Sequence, residues 1–550
     1  MERRVALEMD ESRNAGAMEP ALGMQKLRLS PGWIVAAAFV AYLAIGIFVF
    51  RDYGISWDEP FQREYGQEVF DYVFKGDLRL FQNSVRFHGP VFAFLLAVAE
   101  NLLPLTDTRD IYFMRHLVTF LIFYGGVASF YLLCRHIFSS WKLGLLGSSL
   151  LVMHPRLFAD SFYNSKDIPF LAFFITSVLT LVWFADRRTA GYGVLHALSC
   201  GVLIAIRFAG IIVPAMTLVV LGLDSVVRGR RREIGKGMVV FGLYVTALLL
   251  VVVILWPTLW RDPVGGLRMA LGEAVEYPYT ETVRYLDRDI PATDLTWNYL
   301  LVWIGISTPL VPLSLALVGI GKVIGEMMGG GYRAIILNRG VLVAIMWIGI
   351  PFLSVVLTHP VLYDGWRHFF FVYPGIVVMV LIGLVFLWGT AGRIAGVTAL
   401  LAARAGIGLV VVLALISGVR SITEYHPFQN AYFNELVGGA AGANKKFELG
   451  YWGLSYRRGL EYILETDKAL EVPIYVAQEV GTFNAVILEP KERERLRFVE
   501  ESGRAQYLLT NFRWQKENDS LAGQPYYSVN VGGAEILAVR KLAPPPILAR

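Results

Sequence analysis

Residues 369–388 read FFFVYPGIVVMVLIGLVFLW, a run without a charged side chain. A helix of about 20 apolar residues crosses the roughly 30 Å hydrocarbon core of a bilayer. Comparable apolar runs occupy residues 32–50 and 236–257. The 550-residue chain is 55% hydrophobic and 17% charged, and its mean hydropathy is +0.51, which is too apolar for soluble domains alone. These runs therefore predict membrane spans.

The apolar runs predict an all-α polytopic membrane domain over residues 33–420. The stretch 89–105 is also apolar, but Glu100 and Asn101 interrupt it, so we expect a juxtamembrane or re-entrant helix there. About eleven transmembrane helices are expected, at residues 33–50, 113–134, 142–157, 168–185, 193–207, 210–225, 237–257, 309–325, 340–357, 369–389 and 405–420.

The basic residues predict the orientation, because cytoplasmic loops are rich in Lys and Arg. With residues 1–32 as a cytoplasmic segment before an uncleaved anchor, the stretches 51–112, 257–308 and everything after about 421 face the external or periplasmic side of a multi-pass cell membrane, most simply a bacterial inner membrane. The net charge of +5 then reflects orientation and not a nucleic-acid partner. The residues expected inside are Arg3, Arg4, Arg13, Lys26, Arg28, Arg135, Lys142, Arg187, Arg188, Arg228, Arg230, Arg231, Arg232, Lys236, Arg333, Arg339, Arg393 and Arg404.

The composition changes after residue 421, where charged and amide side chains become abundant. Short β-like runs at residues 474–477, 507–509 and 534–539 are bounded by turn residues. Residues 421–550 are therefore predicted to form a small external soluble α/β domain. The two cysteines, Cys134 and Cys200, fall in or beside predicted spans, so neither a disulfide framework nor a thiolate metal cluster is expected.

Two acidic segments lie at external ends of predicted spans. Residues 54–60 read GISWDEP and bring Asp58 and Glu59 just beyond the first span, while residues 164–169 read NSKDIP and bring Asp167 to the start of another. Helix capping is the alternative interpretation at both places, since Ser56-x-x-Glu59 fits a capping box and Asp167 precedes a proline in a first helical turn.

Cations are expected at the same level of the membrane. Arg207 lies between two predicted spans, Arg367 and His368 precede another, and Lys166 adjoins the second acidic segment. A lone boundary arginine can also extend to lipid headgroups, which is the alternative for Arg207. Four basic side chains near two acidic segments nevertheless suit an anionic lipid headgroup that meets a polar acceptor.

The order of these motifs resembles the class C glycosyltransferase superfamily, in particular bacterial relatives of protein O-mannosyltransferases and aminoarabinose transferases. The resemblance covers roughly residues 33–420, and the carboxyl-terminal segments 432–435 and 451–455 also look like the tail of bacterial members. The matching residues are Asp58-Glu59, His154-Pro155-Arg156-Leu157, Asp167-Ile168-Pro169, Arg367-His368 and Tyr373-Pro374.

The resemblance implies a multispan fold with juxtamembrane helices in the first external loop, a polyprenyl-phosphate sugar donor and transfer with inversion. It also implies that Asp58 is the acidic residue beside the acceptor and Asp167 the second acidic position. A lipid, a glycan or a protein would supply the acceptor hydroxyl.

The chemistry of such a transfer requires a base and cations. We expect the Asp58 carboxylate, with Glu59 as the neighbouring candidate and Asp167 as a partner, to take the proton of the acceptor hydroxyl. Arg207, Arg367, Lys166 and His368 would bind the donor phosphate. No cofactor is expected. Carboxylates and histidines, including His154, offer ligand types for a divalent metal, but no tight ligand spacing appears, so a required metal is not expected.

Three other function classes remain open at this stage. A transporter or flippase also carries charges in its spans, but it usually holds substrate near the midplane and often has internal repeats. A surface-polysaccharide polymerase or ligase would share the donor and much of the topology. A sensor or scaffold would use the terminal domain for binding, but that class leaves the broken external helices and boundary arginine without a role.

Overall fold

A computed structural model describes residues 31–227, 234–275, 279–331, 335–336, 338–514 and 521–542. The chain divides into two compact units, residues 1–44 and residues 45–550. The basic residues expected inside that lie outside the described residues are Arg3, Arg4, Arg13, Lys26, Arg28, Arg228, Arg230, Arg231, Arg232, Arg333 and the side chain of Lys236.

Helices make up most of the described chain. Those before residue 260 are α1 (Pro31–Val49), α2 (Glu59–Lys75), α3 (Val91–Leu102), α4 (Thr108–Phe138), α5 (Trp141–Val152), α6 (Pro155–Tyr163), α7 (Asp167–Arg187), α8 (Ala190–Ile206), α9 (Ile212–Val227) and α10 (Ile234–Leu255). The later ones are α11 (Pro263–Val275), α12 (Tyr299–Ser307), α13 (Leu310–Met328), α14 (Arg339–Thr358), α15 (Tyr373–Ala391), α16 (Val397–Tyr425), α17 (Gly439–Ala443), α18 (Ser455–Thr466), α19 (Val480–Phe483) and α20 (Pro490–Arg493).

Nine helices among the described residues are long and apolar enough to cross a membrane. Each falls on a predicted span. The other two predicted spans coincide with shorter apolar helices, α5 and α8, of 12 and 17 residues. The interrupted stretch 89–105 forms α3, which has only 12 residues and packs against α2. The predicted class, a helical polytopic membrane protein with further helices between its first two spans, is confirmed.

Among the apolar helices, the most extensive packing joins α13 with α15, α8 with α10, and α4 with α7. Gly319 of α13 and Gly383 of α15 let two backbones come close together. A Cβ atom at Gly319 would overlap the backbone of Met379, and one at Gly383 would overlap the backbone of Leu315. Small residues serve the same purpose at many helix interfaces in membranes.

The predicted carboxyl-terminal α/β domain is confirmed, and its five strands are β3 (Val472–Val476), β4 (Leu496–Phe498), β5 (Tyr507–Thr510), β6 (Gln524–Val531) and β7 (Ala534–Lys541). They form one sheet with strand order β4-β3-β5-β7-β6. Pairs β3–β4 and β3–β5 are parallel, and β5–β7 and β6–β7 are antiparallel. Helix α18 covers the sheet with Leu460 and Ile463, which pack with Leu509 and Leu537. The expected boundary at 421 falls in the last turns of α16.

A separate antiparallel hairpin, β1 (Thr282–Tyr285) and β2 (Arg288–Pro291), lies between α11 and α12. Its turn, Leu286 and Asp287, has positive φ angles of 51° and 66°. This is the backbone of a tight hairpin turn whose twist matches that of the strands. The Asp287 N–H donates to Lys446 O at 3.1 Å, so the hairpin is fixed to the segment that leads into the terminal domain.

Candidate active site

The segment before α2 is held by the carboxyl-terminal domain. The backbone N–H of Ile55 donates to Asn484 Oδ1, and Asn484 Nδ2 donates to Ile55 O, both at 3.0 Å. The Trp57 N–H donates to Trp452 O at 3.1 Å. Because these contacts join positions more than 390 residues apart in sequence, the terminal domain fixes where the first acidic segment lies.

The two neighbouring carboxylates of that segment have different surroundings. Asp58 makes no side-chain cap, and its Oδ2 accepts from Arg367 Nη1 at 2.9 Å. Glu59 Oε2 accepts from the N–H and Oγ of Ser56 at 2.8 and 3.1 Å, and its Oε1 lies 3.0 Å from His116 Nε2. The capping-box alternative therefore describes Glu59, which is buried away from Asp58's partners, and does not describe Asp58.

Asp167, the first residue of α7, is bound by two arginines. Its Oδ1 lies 2.5 Å from Arg207 Nη1, and its Oδ2 lies 3.1 Å from Arg367 Nη1. Asn164 adds a hydrogen bond from its Nδ2 to Oδ2 at 3.1 Å. Arg207, which ends α8 in an extended conformation, is thus engaged by a carboxylate. Lipid snorkelling is not needed to account for it.

Arg367 connects the two predicted acidic residues to a third. Its Nη1 contacts both Asp58 and Asp167, while its Nη2 lies 3.2 Å from Asp364 Oδ2. Asp364 has a left-handed backbone with φ of 55°, which Asp tolerates better than most residues, and it turns back toward Arg367. Asp364 Oδ1 also lies 2.6 Å from Arg513 Nη2. The guanidinium of Arg367 sits over the Trp452 ring, 4.6 Å from its centroid.

Lys166 lies beside the arginine pairs but has a nitrogen atom as its nearest polar partner. Its Nζ is 3.2 Å from Nδ1 of His88. Burial, with the neighbouring charge of Arg207, lowers the pKa of Lys166 to about 8, although Asp58 and Asp167 oppose this. Burial also holds the pKa of His88 well below its usual value, with Lys166 contributing. His88 is therefore neutral, and the Lys166 ammonium is the least compensated cation here.

These side chains form a charged cluster at one edge of a cavity of about 600 Å³. The charged cluster contains Asp58, Asp167, Asp364, Lys166, Arg207, Arg367 and Arg513. The cavity is lined by five of these residues, Asp58, Lys166, Asp364, Arg367 and Arg513. Asp167 is buried and does not belong to the lining. Aromatic side chains complete the wall: Trp57, Phe61, Tyr279, Tyr363 and Trp514. The cavity thus joins an accessible carboxylate, several cations and apolar ring faces, which is the usual make-up of a ligand site.

The structure brings together most of the residues that the sequence singles out. His368 packs its ring edge to face against Tyr363 at 4.7 Å, and its Nε2 is buried without a hydrogen-bond partner among the described residues. Glu59 is the predicted residue that faces elsewhere. The sequence analysis missed His88, Asp364 and Arg513. Asp364 was recognisable from its Asp-Gly turn beside Arg367, but Arg513 pairs with a residue 149 positions away and has no local signal.

Metal ligation was tested on the donor set that the sequence offers. Among the residues that the structure describes, no group of three or more His, Cys, Asp or Glu side chains is arranged to hold a metal ion. His154 caps α6 through its Nδ1, which accepts from the Leu157 N–H, and packs against Tyr373. Arg367 already bridges Asp58 and Asp167, so a cation stands where a metal would join these carboxylates. That no metal is required stays a prediction.

Comparison with known proteins gives structural similarities only. Scans against models of protein families and against curated proteins gave no match. Among solved structures, the chain is similar to an oligosaccharyltransferase of Archaeoglobus fulgidus, at 10% identity and a TM-score of 0.47, with 86% of this chain and 66% of that chain covered. It is similar to ArnT from Cupriavidus metallidurans bound to undecaprenyl phosphate, at 14% identity and a TM-score of 0.47, with 93% and 98% covered.

A third similar structure is the arabinofuranosyltransferase AftD from Mycobacteria, at 12% identity and a TM-score of 0.40, with 94% of this chain and 40% of that chain covered. These similarities concern the fold alone. Because the identities are 10 to 14% and every TM-score is below 0.5, the activity of this chain has to be inferred from its own site.

Proposed function

We propose that this protein is a membrane glycosyltransferase that moves a sugar from a polyprenyl-phosphate donor to a hydroxyl group of an acceptor. The observation that carries the proposal is that one guanidinium, Arg367, joins Asp58 and Asp167 at a cavity that also receives Lys166. A positioned base beside fixed cations is what transfer from a sugar phosphate requires.

Asp58 is the base, because it is the accessible carboxylate of the charged cluster. Its side chain is 27% exposed and lines the cavity, whereas those of Asp167 and Asp364 are 2% and 7% exposed. Asp167 is a positioning residue, since its two oxygens hold Arg207 and Arg367. Glu59, 1% exposed and engaged with Ser56, is the second candidate for the base.

The donor phosphate binds between Lys166 and Arg207, with Arg367 and His368 beside it. Arg367 is shared by three carboxylates, so much of its charge is already balanced. Arg207 has one carboxylate partner and is 21% exposed, and Lys166 has only a neutral histidine next to its ammonium group. These two cations therefore retain the most capacity for a phosphate. His368 Nε2 supplies one more polar atom.

The reaction is a single displacement. The acceptor oxygen forms a bond to the anomeric carbon as the bond from that carbon to the phosphate oxygen breaks, which inverts the configuration. The hydroxyl proton passes to Asp58, and the polyprenyl phosphate leaves with the electron pair. A phosphate monoester whose second pKa is about 6 leaves without protonation at neutral pH, so the cations replace a general acid.

The proposed arrangement in the membrane follows the charge asymmetry of the loops. Residues 1–32 are cytoplasmic, 33–420 form the membrane domain and 421–550 form an external domain. The active site then opens on the non-cytoplasmic side of a cell membrane. Asp167, Arg207 and Arg367 all lie at helix ends, and a site at that level favours transfer at the interface over transport through the midplane.

Purified protein in lipid nanodiscs, incubated with a panel of radiolabelled polyprenyl-phosphate sugars and membrane extract as acceptor, tests the proposal. We expect label to move from one donor to an acceptor, with free polyprenyl phosphate released in equal amount. Products that carry one added sugar indicate a transferase, and a ladder of products indicates a polymerase. A parallel experiment uses the protein in liposomes of the same lipid composition as the nanodiscs. If no donor in the panel is consumed and labelled donor crosses the liposome bilayer, the protein is a flippase.

A further inference from the structure

A second cavity, of about 300 Å³, lies between the β1–β2 hairpin and the carboxyl-terminal domain. The hairpin contributes Arg284 and Asp289 to its wall, the segment after α17 contributes Lys445 and Glu448, and the sheet domain contributes Glu535. Its volume is at the lower limit of small-ligand pockets, which begin at about 300 Å³. The proposed transfer reaction uses none of these five residues.

The charged side chains of this cavity balance one another. Three cations, Arg284, Lys445 and Arg513, face three carboxylates, Asp289, Glu448 and Glu535, so the formal charge of the lining is zero. A strongly charged ligand would be repelled by half of these groups. A neutral ligand with many hydroxyls can donate to the carboxylates and accept from the cations, and so it satisfies both kinds.

Glu448 provides a polar atom that lacks a partner. Its Oε2 is buried and accepts no hydrogen bond from any described residue. Burial raises the pKa of Glu448 to about 7, and the neighbouring Arg513 limits the rise. A buried carboxylate oxygen without a donor costs free energy that a ligand hydroxyl would recover. Asn511 on the same wall makes two long hydrogen bonds, from its Nδ2 to Gly450 O at 3.4 Å and from the Arg513 N–H to its Oδ1 at 3.3 Å. An amide group has two N–H donors and two acceptor lone pairs, so Asn511 keeps capacity for a ligand hydroxyl.

The second cavity adjoins the active-site cavity, because Arg513 and Trp514 line both. Phe512 and Trp514 have φ angles of 64° and 58°, which are unusual for bulky residues. This backbone turns Arg513 inward to Asp364 and leaves the Trp514 ring 6.0 Å from that of Trp57. A ligand that fills the second cavity can therefore extend past Trp514 toward Asp58.

We propose that the second cavity binds a neutral saccharide unit of the acceptor, with Glu448 and Asn511 receiving its hydroxyls and Trp514 packing against the sugar that leads to the active site. This inference rests on the proposed glycosyl transfer, because only a transferase has an acceptor. It narrows the class of acceptor to a glycan or a glycolipid. The site would hold sugar residues one or more units away from the hydroxyl that reacts.

Saccharide binding without donor tests the inference on the full chain in nanodiscs. The probes are neutral disaccharides and tetrasaccharides of glucose, galactose and mannose, with a uronic-acid disaccharide for comparison, and the readouts are saturation-transfer NMR and tryptophan fluorescence. We expect at least one neutral probe to bind and Glu448→Gln to weaken it about tenfold through the lost charged hydrogen bond. Trp514→Ala should weaken it as well. Glu501→Gln, at a 67% exposed position outside both cavities, is the matched control and should bind as the wild type does.

The inference is overturned if no neutral probe binds, if Glu448→Gln and Trp514→Ala both leave the affinity unchanged, or if the uronic-acid probe binds best. Thermal unfolding of each variant in detergent identifies any that has lost its fold, and Asn511→Ser then replaces Glu448→Gln in the comparison. The binding assay contains no donor, so its result is independent of the transfer assay. If the wild type binds a saccharide but is inactive on every donor, the proposed transferase activity is contradicted and the saccharide site is supported. If donor is turned over but no saccharide binds, the transferase activity is supported and the saccharide site is contradicted.

Discussion

Helix α7 has a group of acidic and basic side chains at each of its ends, and the two groups differ in what surrounds them. At its start, Asp167 belongs to the charged cluster, which opens on the 600 Å³ cavity. At its other end, Asp186 and Asp224 are held by Arg188 and Arg339. Both groups contain carboxylates and arginines at helix ends, so residue type alone does not separate them.

The group at the far end of α7, here called the end cluster, consists of Asp186, Asp224, Arg188, Arg339 and His136. Asp224 lies 3.2 Å from Arg188 and also contacts Arg339, and His136 Nε2 lies 2.8 Å from Asp186. The adjoining cavity, about 280 Å³, is lined mainly by apolar residues, and no carboxylate belongs to its lining among the residues that the structure describes. The ion pairs of the end cluster hold helices together, because Asp186 and Asp224 each contact a cation and neither lines this cavity.

The charged cluster therefore differs from the end cluster in two ways: some of its charged groups are not fully paired, and it borders a polar cavity. Asp58 is exposed to the cavity, and Lys166 lacks a carboxylate contact within hydrogen-bond distance among the described residues. Such partial exposure is the condition for a group to act on a substrate. The comparison predicts that substitutions in the charged cluster affect transfer, and that substitutions in the end cluster affect stability.

The largest effect is expected from Arg367→Gln. Removing this cation leaves Asp58, Asp167 and Asp364 without their shared partner, and uncompensated buried charges cost about 3–5 kcal/mol. Transfer should fall at least about 100-fold as the base and the phosphate site lose their alignment. Arg367→Lys should recover only part of the loss, since an ammonium group cannot reach three carboxylates. Wild-type transfer rates in Arg367→Gln would contradict the central role of Arg367 in the charged cluster.

A smaller and pH-dependent effect is expected at Lys166. Its pKa of about 8 means that the ammonium form, which binds phosphate, prevails below that pH and is lost as the pH rises through it. We expect kcat/KM for the donor to decline above pH about 8. Lys166→Arg should shift this decline to higher pH, because guanidinium stays protonated. A profile that is identical in both proteins would assign the decline to another group.

The end cluster supplies the contrasting prediction. Asp224→Asn should lower stability by about 1–3 kcal/mol, as buried donors of Arg188 and Arg339 lose their acceptor. Transfer per folded molecule should stay within about twofold, the range of surface effects near 0.5 kcal/mol. Thermal unfolding in detergent and initial rates on the same preparation measure both. A large fall in rate with unchanged stability would mean that the two ends of α7 are not different in kind.

The sequence predicted the fold better than it predicted the site. Membrane spans are recognisable because an apolar run of sufficient length has few other stable environments, and the short β-like runs at residues 474–477, 507–509 and 534–539 are bounded by turn residues. Boundary charges also identified Asp58, Asp167, Arg207 and Arg367. Which of them face one another depends on helix packing that no local pattern encodes.

The orientation of Glu59 and the participation of Arg513 illustrate that limit. Ser56-x-x-Glu59 fits a capping box in sequence. Only the folded chain shows that Glu59, and not Asp58, bonds to Ser56 and that His116 of α4 contacts the same carboxylate. Arg513 reaches Asp364 only because the terminal sheet domain packs on the membrane domain. Long-range contacts of this kind become visible only in the folded chain.

The measurement that tests the account most directly compares Asp58→Asn with Glu59→Gln under identical conditions on the authentic donor and acceptor. Asparagine is nearly isosteric with aspartate but cannot accept the hydroxyl proton, so Asp58→Asn should fold normally, bind donor and transfer sugar at least about 100-fold more slowly. Glu59→Gln should lose stability through its contacts with Ser56 and His116 and keep most of its transfer rate. Wild-type turnover in Asp58→Asn, or inactivity confined to Glu59→Gln, would contradict the assignment of Asp58 as the base.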